Sequence, residues 1–167
     1  EMLRSLVGSE MCIRDRARTA ADAQALGERL GAAVEAGDVV VLDGPLGAGK
    51  TTFTQGIARG MQVKGRVTSP TFIIAREHRS TVGGPALVHV DAYRLLDGLD
   101  TGEGAASGDP LGELDALDLD TDLEEAVVVV EWGEGLAERL STGYLAVRID
   151  REAADETRAF AWHWHGG

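Results

Sequence analysis

Residues 39–61 dictate a strand, a glycine-rich loop and a helix, in that order. Val39–Leu42 is a continuous apolar run of strand length, the pattern of a strand buried on both faces. It leads into Gly44-Pro-Leu-Gly-Ala-Gly-Lys-Thr51, which satisfies G-x-x-x-x-G-K-[ST] at every position. The spacing follows from the chemistry. Gly44, Gly47 and Gly49 let the backbone wrap close to a polyphosphate with successive N–H groups facing it, and Pro45, Leu46 and Ala48 complete the loop. A helix starting at Lys50, regular over Thr52–Met61 and ending near Gly60, aims its positive end at the same anion. Lys50 can bridge the outer phosphates and the Thr51 hydroxyl can ligate magnesium, with Thr52 next to them in the first turn.

The rest of the chain reads as an alternation of strands and helices. Leu26, Leu30, Ala33 and Val34 mark the apolar face of a helix capped at Thr19 and stopped by Gly37. Thr71–Ala75 and Leu87–Val90 read as strands separated by Gly83-Gly84-Pro85. Ala126–Val130 is a second strongly apolar strand, followed by a short helix around Leu136–Leu140 and late strands at Tyr144–Ile149 and Arg158–Trp164. Gly98–Pro110, rich in Gly, Ala and Asp, reads as a flexible loop.

A chain of 167 residues is the size of one domain, and 44% apolar with 26% charged residues is a globular composition. No run approaches the length of a membrane helix, so no membrane role is expected. With Cys12 as the single cysteine, an internal disulfide and a thiolate zinc cluster are both excluded. The net charge of −12 argues against broad binding to nucleic acid or anionic membranes, although the charge is unevenly spread. Lys50–Arg94 carries seven basic and two acidic residues, whereas Leu95–Glu138 carries fourteen acidic residues and no Lys or Arg. The first segment suits phosphates and the second repels them. At the start, Glu10–Arg16 reads EMCIRDR, which resembles the in-frame translation of a transposon adapter used in DNA library preparation. Residues 1–16 are therefore expected to be non-native and 17–167 to form a single domain. Acidic Glu1 and Glu10, without a long apolar core, speak against a secretory signal, and a cytoplasmic location is expected.

A phosphate loop needs an acidic partner on a neighbouring strand to hold magnesium or its waters. Asp91, after Leu87–Val90, and Glu131, after Val127–Val130, each stand at the carboxyl end of an apolar strand, where open α/β sheets bind ligands. Between the loop and Asp91 in sequence, Val67-Thr-Ser-Pro-Thr-Phe72 brings the hydroxyls of Thr68, Ser69 and Thr71 within reach of a nucleotide, with Pro70 biasing Ser69 towards an extended conformation. The chain contains no Asn, so it lacks the Asn-Lys-x-Asp reader of guanine, and ATP is the expected nucleotide.

Taken in order, GPLGAGKTT, SPTF, His89-Val-Asp-Ala-Tyr-Arg-Leu95 and Glu131-Trp-Gly-Glu134 resemble the TsaE family over about Thr19–Ile149. That family comprises small bacterial ATPases needed to make threonylcarbamoyladenosine in tRNA. The resemblance implies an α/β three-layer P-loop NTPase-like domain with a mostly parallel central sheet, in keeping with the strand–helix alternation. It implies ATP and Mg2+ as cofactors, and the TsaD and TsaB subunits as partners, with tRNA engaged only indirectly. By the same resemblance Lys50 and Thr51 are the phosphate lysine and magnesium threonine, and Glu131 helps bind magnesium. Asp91 supports hydrolysis, Ser69–Phe72 forms a switch-like segment, and Trp132 is the aromatic beside the nucleotide. Tyr93 and Arg94 take a supporting or partner-facing role, with packing as the equal alternative for Tyr93. Arg76, Arg79 or a partner's residue is the candidate for a charge-stabilising arginine.

Two stretches depart from the family pattern. The acidic Asp97–Glu125 connection is long, and the Arg158–Trp164 end is loosely matched. Trp162-His-Trp-His165 puts two histidines on one strand face without visible further metal ligands. A P-loop small-molecule kinase is the alternative function. The lack of any basic residue from Leu95 to Glu138 counts against the Arg-rich lid such a kinase needs.

Overall fold

A computed structural model describes residues 13–45, 47–68, 75–91, 122–131, 137–152 and 155–166. Seven strands and three α-helices account for most of them. In chain order they are β1 (Ile13–Ala17), α1 (Ala20–Ala33), β2 (Val39–Asp43), α2 (Lys50–Met61), β3 (Ala75–His78), β4 (Leu87–Asp91), β5 (Val127–Glu131), α3 (Ala137–Leu140), β6 (Gly143–Arg151) and β7 (Arg158–Gly166). A 3-10 turn at Leu123–Glu125 leads into β5.

All the strands join one sheet in the order β1-β7-β6-β2-β5-β4-β3. Its centre is parallel: β2 pairs with β5 and β6, and β4 pairs with β5. The outer strands β3, β7 and β1 run antiparallel to their neighbours. Each central strand is apolar along nearly its whole length, because a parallel strand covered on both faces has no solvent side for polar residues. One face holds Val40, Leu42, Leu87, Val127, Val129, Leu145, Val147, Phe160 and Trp162 against α1 and α2; a smaller cluster of Val39, Val41, Val88, Val90, Val128 and Val130 lies on the other.

Helix α1 begins as its sequence requires. The Thr19 hydroxyl accepts from the Asp22 amide at 3.1 Å while the Asp22 carboxylate accepts from the Thr19 amide at 3.3 Å, a closed capping box. Its buried face differs from the expected one. Ala23, Gly27, Leu30 and Gly31 are buried, whereas Leu26 and Val34 are only partly so. The reason is the closeness of the two helices. A Cβ on Gly27 would collide with the Phe53 carbonyl oxygen, and one on Gly56 with the Gln24 carbonyl oxygen. Backbone meets backbone, so the contact is centred on glycines, which an apolar periodicity does not register.

Other boundaries shift slightly. The strand expected at Thr71–Ala75 is seen only as β3, which starts at Ala75 and runs on to His78; residues 71–74 lie outside the described residues. Strand β1 includes Ile13–Arg16, four residues set apart above as foreign, and pairs Ile13 with Trp162 through Ala17 with Arg158. Ladder hydrogen bonds come from the backbone, so an edge strand forms with almost any side chains.

Candidate functional site

The parallel core fixes which residues meet. Because β4, β5 and β6 run in the same direction as β2, their carboxyl ends reach the sheet edge where the Gly44–Thr51 loop leaves β2. Register aligns Leu42 with Glu131 and Glu131 with Asp91, so the two acids sit side by side in one row next to the loop. They share the sheet face that carries α2, since Leu87, His89 and Asp91 alternate to one side, as do Val127, Val129 and Glu131.

The loop itself is shaped by glycines at two points above all. Gly44 packs so tightly on β6 that a Cβ would strike the Ile149 carbonyl oxygen. Gly49, at φ 103°, caps α2 in the left-handed region that other residues avoid. Having no side chain, it leaves the first-turn N–H groups of α2 to face the loop, the arrangement that receives anions. The Ala48 amide closes a turn on the Pro45 carbonyl at 3.0 Å.

Lys50 is buried at the start of α2, and its Nζ donates to the Gly44 carbonyl at 2.7 Å, inside the loop. Burial lowers its pKa; Glu131, then Asp43 and Asp91, pull in the opposite direction and hold the proton. The lysine thus feels both candidate acids. Thr51 and Thr52 follow in the first turn, half-buried.

Glu131 and Asp91 are both buried, as is His89. The His89 Nε2 lies 3.3 Å from Glu131 Oε1. A carboxylate only accepts, so this contact places the imidazole proton on Nε2. His89 Nδ1 has no hydrogen-bond partner among the described residues. His89 opens the His89–Leu95 motif, which by itself gives it no role; its place two residues before Asp91 on the same strand face is the signal the sequence offers.

A residue that the sequence did not nominate also reaches the loop. Arg158, first in β7, donates from Nε to the Ala48 carbonyl at 2.9 Å, and its Nη2 lies 3.5 Å from the Gly47 carbonyl. Arg76, by contrast, sits on β3 opposite His89, and Arg79 follows that strand.

Leu46, Ser69, Thr71 and Trp132 lie outside the described residues, as do Tyr93 and Arg94. His163 and His165 stand with ring centres 4.6 Å apart on β7, and among the described residues no group of three or more His, Cys, Asp or Glu is placed to hold a metal. Nor, among them, is any helix long and apolar enough to cross a membrane. A nucleotide with magnesium fits this donor set: a buried lysine, an uncapped helix start and a hydroxyl at Thr51, with the carboxylate of Glu131, offer cation, N–H groups and hard oxygen ligands at one sheet edge.

A glycine loop between the central strand of a largely parallel sheet and a helix, beside strand-end carboxylates, defines the P-loop NTPase-like class of α/β folds. Within it, the family model described as "Threonylcarbamoyl adenosine biosynthesis protein TsaE" matches residues 17–160, and the chain belongs to the TsaE family. It is 60% identical over 144 residues to the tRNA threonylcarbamoyladenosine biosynthesis protein TsaE of Mycobacterium tuberculosis, covering 86% of this chain and 82% of that protein. The Streptomyces coelicolor protein of the same name is 53% identical over 136 residues, 80% of this chain and 84% of its own. Among solved structures, Bacillus subtilis YdiB superposes with a TM-score of 0.68 at 28% identity, covering 95% of this chain and 88% of that one.

Proposed function

We propose that this chain binds and hydrolyses ATP with magnesium as a cytoplasmic subunit of the bacterial machinery that makes threonylcarbamoyladenosine in tRNA. In this reading it acts on the TsaD–TsaB pair through its nucleotide cycle and engages tRNA only through them. Residues 17–167 are its one P-loop ATPase domain, and 1–16 are foreign to it. The observation that carries the reading is the row of Glu131 and Asp91 beside the loop that buries Lys50, in a chain of the TsaE family.

Each residue has a distinct task. The loop from Gly44 through Pro45, Leu46, Gly47, Ala48 and Gly49, with the start of α2, cradles the phosphates. Lys50 neutralises charge on the outer phosphates, and Thr52 adds to the first-turn contacts. The Thr51 hydroxyl and the Glu131 carboxylate hold magnesium, directly or through its waters. Magnesium held there would supply positive charge to the phosphate oxygens. Asp91 orients the attacking water, next to the metal acid yet on its own strand. The family resemblance assigns Ser69 and Thr71 to a segment that responds to the γ-phosphate, and Trp132 to nucleotide contact. The absence of any Asn favours adenine over guanine.

The test is phosphate release from ATP and magnesium by the purified chain, alone and with TsaB and TsaD, with Lys50→Ala as the blank. Slow turnover that rises clearly with the pair is expected. Turnover indifferent to the pair would break the link to tRNA modification. Transfer of phosphate to an added metabolite would make the protein a kinase instead.

A further inference from the structure

We infer that Arg158 is a positioning residue for the phosphate loop, gripping it from behind so that its amides are aimed before the nucleotide arrives. The inference rests on the nucleotide-binding reading above and adds a residue from the far end of the chain.

Strand geometry brings this side chain to the loop. β7 is antiparallel to β6, which is parallel to β2, so β7 begins at the edge where β2 ends. Side chains alternate along a strand, and Phe160 and Trp162 point into the core beneath α2, with Phe53 5.2 Å from Phe160 and 5.5 Å from Trp162 between ring centres. Arg158 belongs to the same alternate set. The register that seats the two aromatic rings on α2 therefore lays Arg158 against the loop that precedes α2.

Its contacts are those of a brace. Nε donates to the Ala48 carbonyl at 2.9 Å, while Nη2 reaches the Gly47 carbonyl at 3.5 Å, the outer limit of a hydrogen bond. Nη1 donates to the Glu156 carbonyl at 3.0 Å, which ties the guanidinium to the β6–β7 turn. The side chain is 17% exposed, so the fork is largely enclosed. A trans peptide is planar, with its C=O and N–H pointing in opposite directions. Holding the Ala48 carbonyl on the β7 side therefore turns the Gly49 N–H towards the other side, where the loop meets its anion. A lysine cannot copy this, because its point charge lacks the planar fork that spans two successive carbonyls.

The test uses the full chain with Arg158→Ala, Arg158→Lys and, as a control in the same hairpin, Arg151→Ala. Arg151 pairs with Glu156 at 3.1 Å. Amide hydrogen exchange over Gly47–Thr51 is measured without nucleotide, followed by ATP affinity, KM, kcat and melting temperature. Arg158→Ala is expected to speed exchange in the loop and to raise KM about tenfold, with kcat within about twofold of the parent, the size of loss that one charged hydrogen-bonding group brings. Arg158→Lys should fall between, and millimolar methylguanidinium should recover part of the affinity of Arg158→Ala but not of Lys50→Ala.

Unchanged exchange and KM in a folded Arg158→Ala would overturn the inference. So would a fall in kcat with KM unchanged, which would direct the guanidinium at the transferring phosphate. Equal losses in Arg151→Ala would also overturn it, by tracing them to the hairpin. If the parent chain binds no ATP while Arg158→Ala still speeds loop exchange, the nucleotide reading fails and the brace stands.

Discussion

The phosphate loop is held on two sides by regions of different kinds. On one side α2 continues directly from the loop, and Lys50 turns back to the Gly44 carbonyl only six residues away in sequence. On the other, β7 supplies Arg158 from 110 residues beyond the Ala48 carbonyl it grips. The first hold is local and offers a buried charge to a ligand. The second is long-range and offers the guanidinium of Arg158 to the backbone. A loop that must present amides to an anion needs both, because its outward carbonyls require donors as much as the anion does.

The sharpest way to break this comparison is to remove the local charge. Lys50→Ala should weaken ATP binding by about a hundredfold or more and abolish turnover, far beyond the effect of Arg158→Ala. The melting temperature should stay close to that of the parent, since a buried lysine with a lowered pKa adds little to folding. Calorimetric titration with ATP reads the first expectation and thermal unfolding the second. Binding retained in Lys50→Ala would remove the distinction between the two holds.

Next in size are the strand-end acids, which separate two tasks along one row. Asp91→Ala should keep nucleotide affinity and lose about a hundredfold in kcat, the range for an oriented proton-accepting group. Glu131→Ala should instead raise the magnesium concentration needed for half-maximal binding about tenfold. Titrating magnesium against both variants checks the assignment; a shift in Asp91→Ala and none in Glu131→Ala would exchange their roles.

The local hold also depends on how α2 is seated. Gly56→Ala puts a methyl group against the Gln24 carbonyl oxygen of α1, a backbone atom that cannot swing away. The helices must part, at a cost of about 1–3 kcal/mol in stability, and Lys50 moves with α2. Urea unfolding should show that loss, and ATP affinity should fall with it. A neutral Gly56→Ala would mean that α2 can slide without disturbing the loop.

These two regions also explain what was legible in the sequence. The β2–loop–α2 unit could be read residue by residue, because an apolar run, a motif and a helix follow one another without a tertiary partner. The acids at Asp91 and Glu131 were legible for a related reason: each ends an apolar strand, and parallel strands end together. Arg158 was not legible. Nothing local marks an arginine at a strand start as reaching another loop, and only the β6–β7 register places it there. The helix face centred on Gly27 and Gly31 was missed because glycine carries no hydropathy signal, although it is what lets two backbones touch.

The smallest effect expected lies away from the site, at His78 on β3, opposite Leu87 at the start of β4. Its Nδ1 donates to the Lys64 carbonyl at 3.0 Å, and its Nε2 is buried with no partner among the described residues. Burial lowers its pKa from the ordinary value of 6.5, the Lys64 hydrogen bond opposes this, and the neighbouring His89 and Arg76 push further down. Protonation would add a donor at Nε2 with no acceptor among the described groups. Between the folded pKa and 6.5 the unfolded chain therefore binds more protons, so stability is complete above 6.5 and is lost as pH falls. The slope from this one group is at most about 1.4 kcal/mol per pH unit. Melting temperatures from pH 7.5 down to 5 should fall less steeply in His78→Gln than in the parent. Parallel curves would show that His78 keeps its ordinary affinity for protons, and that the β3 edge adds nothing to the pH response of a fold held mainly through β2, α2 and β7.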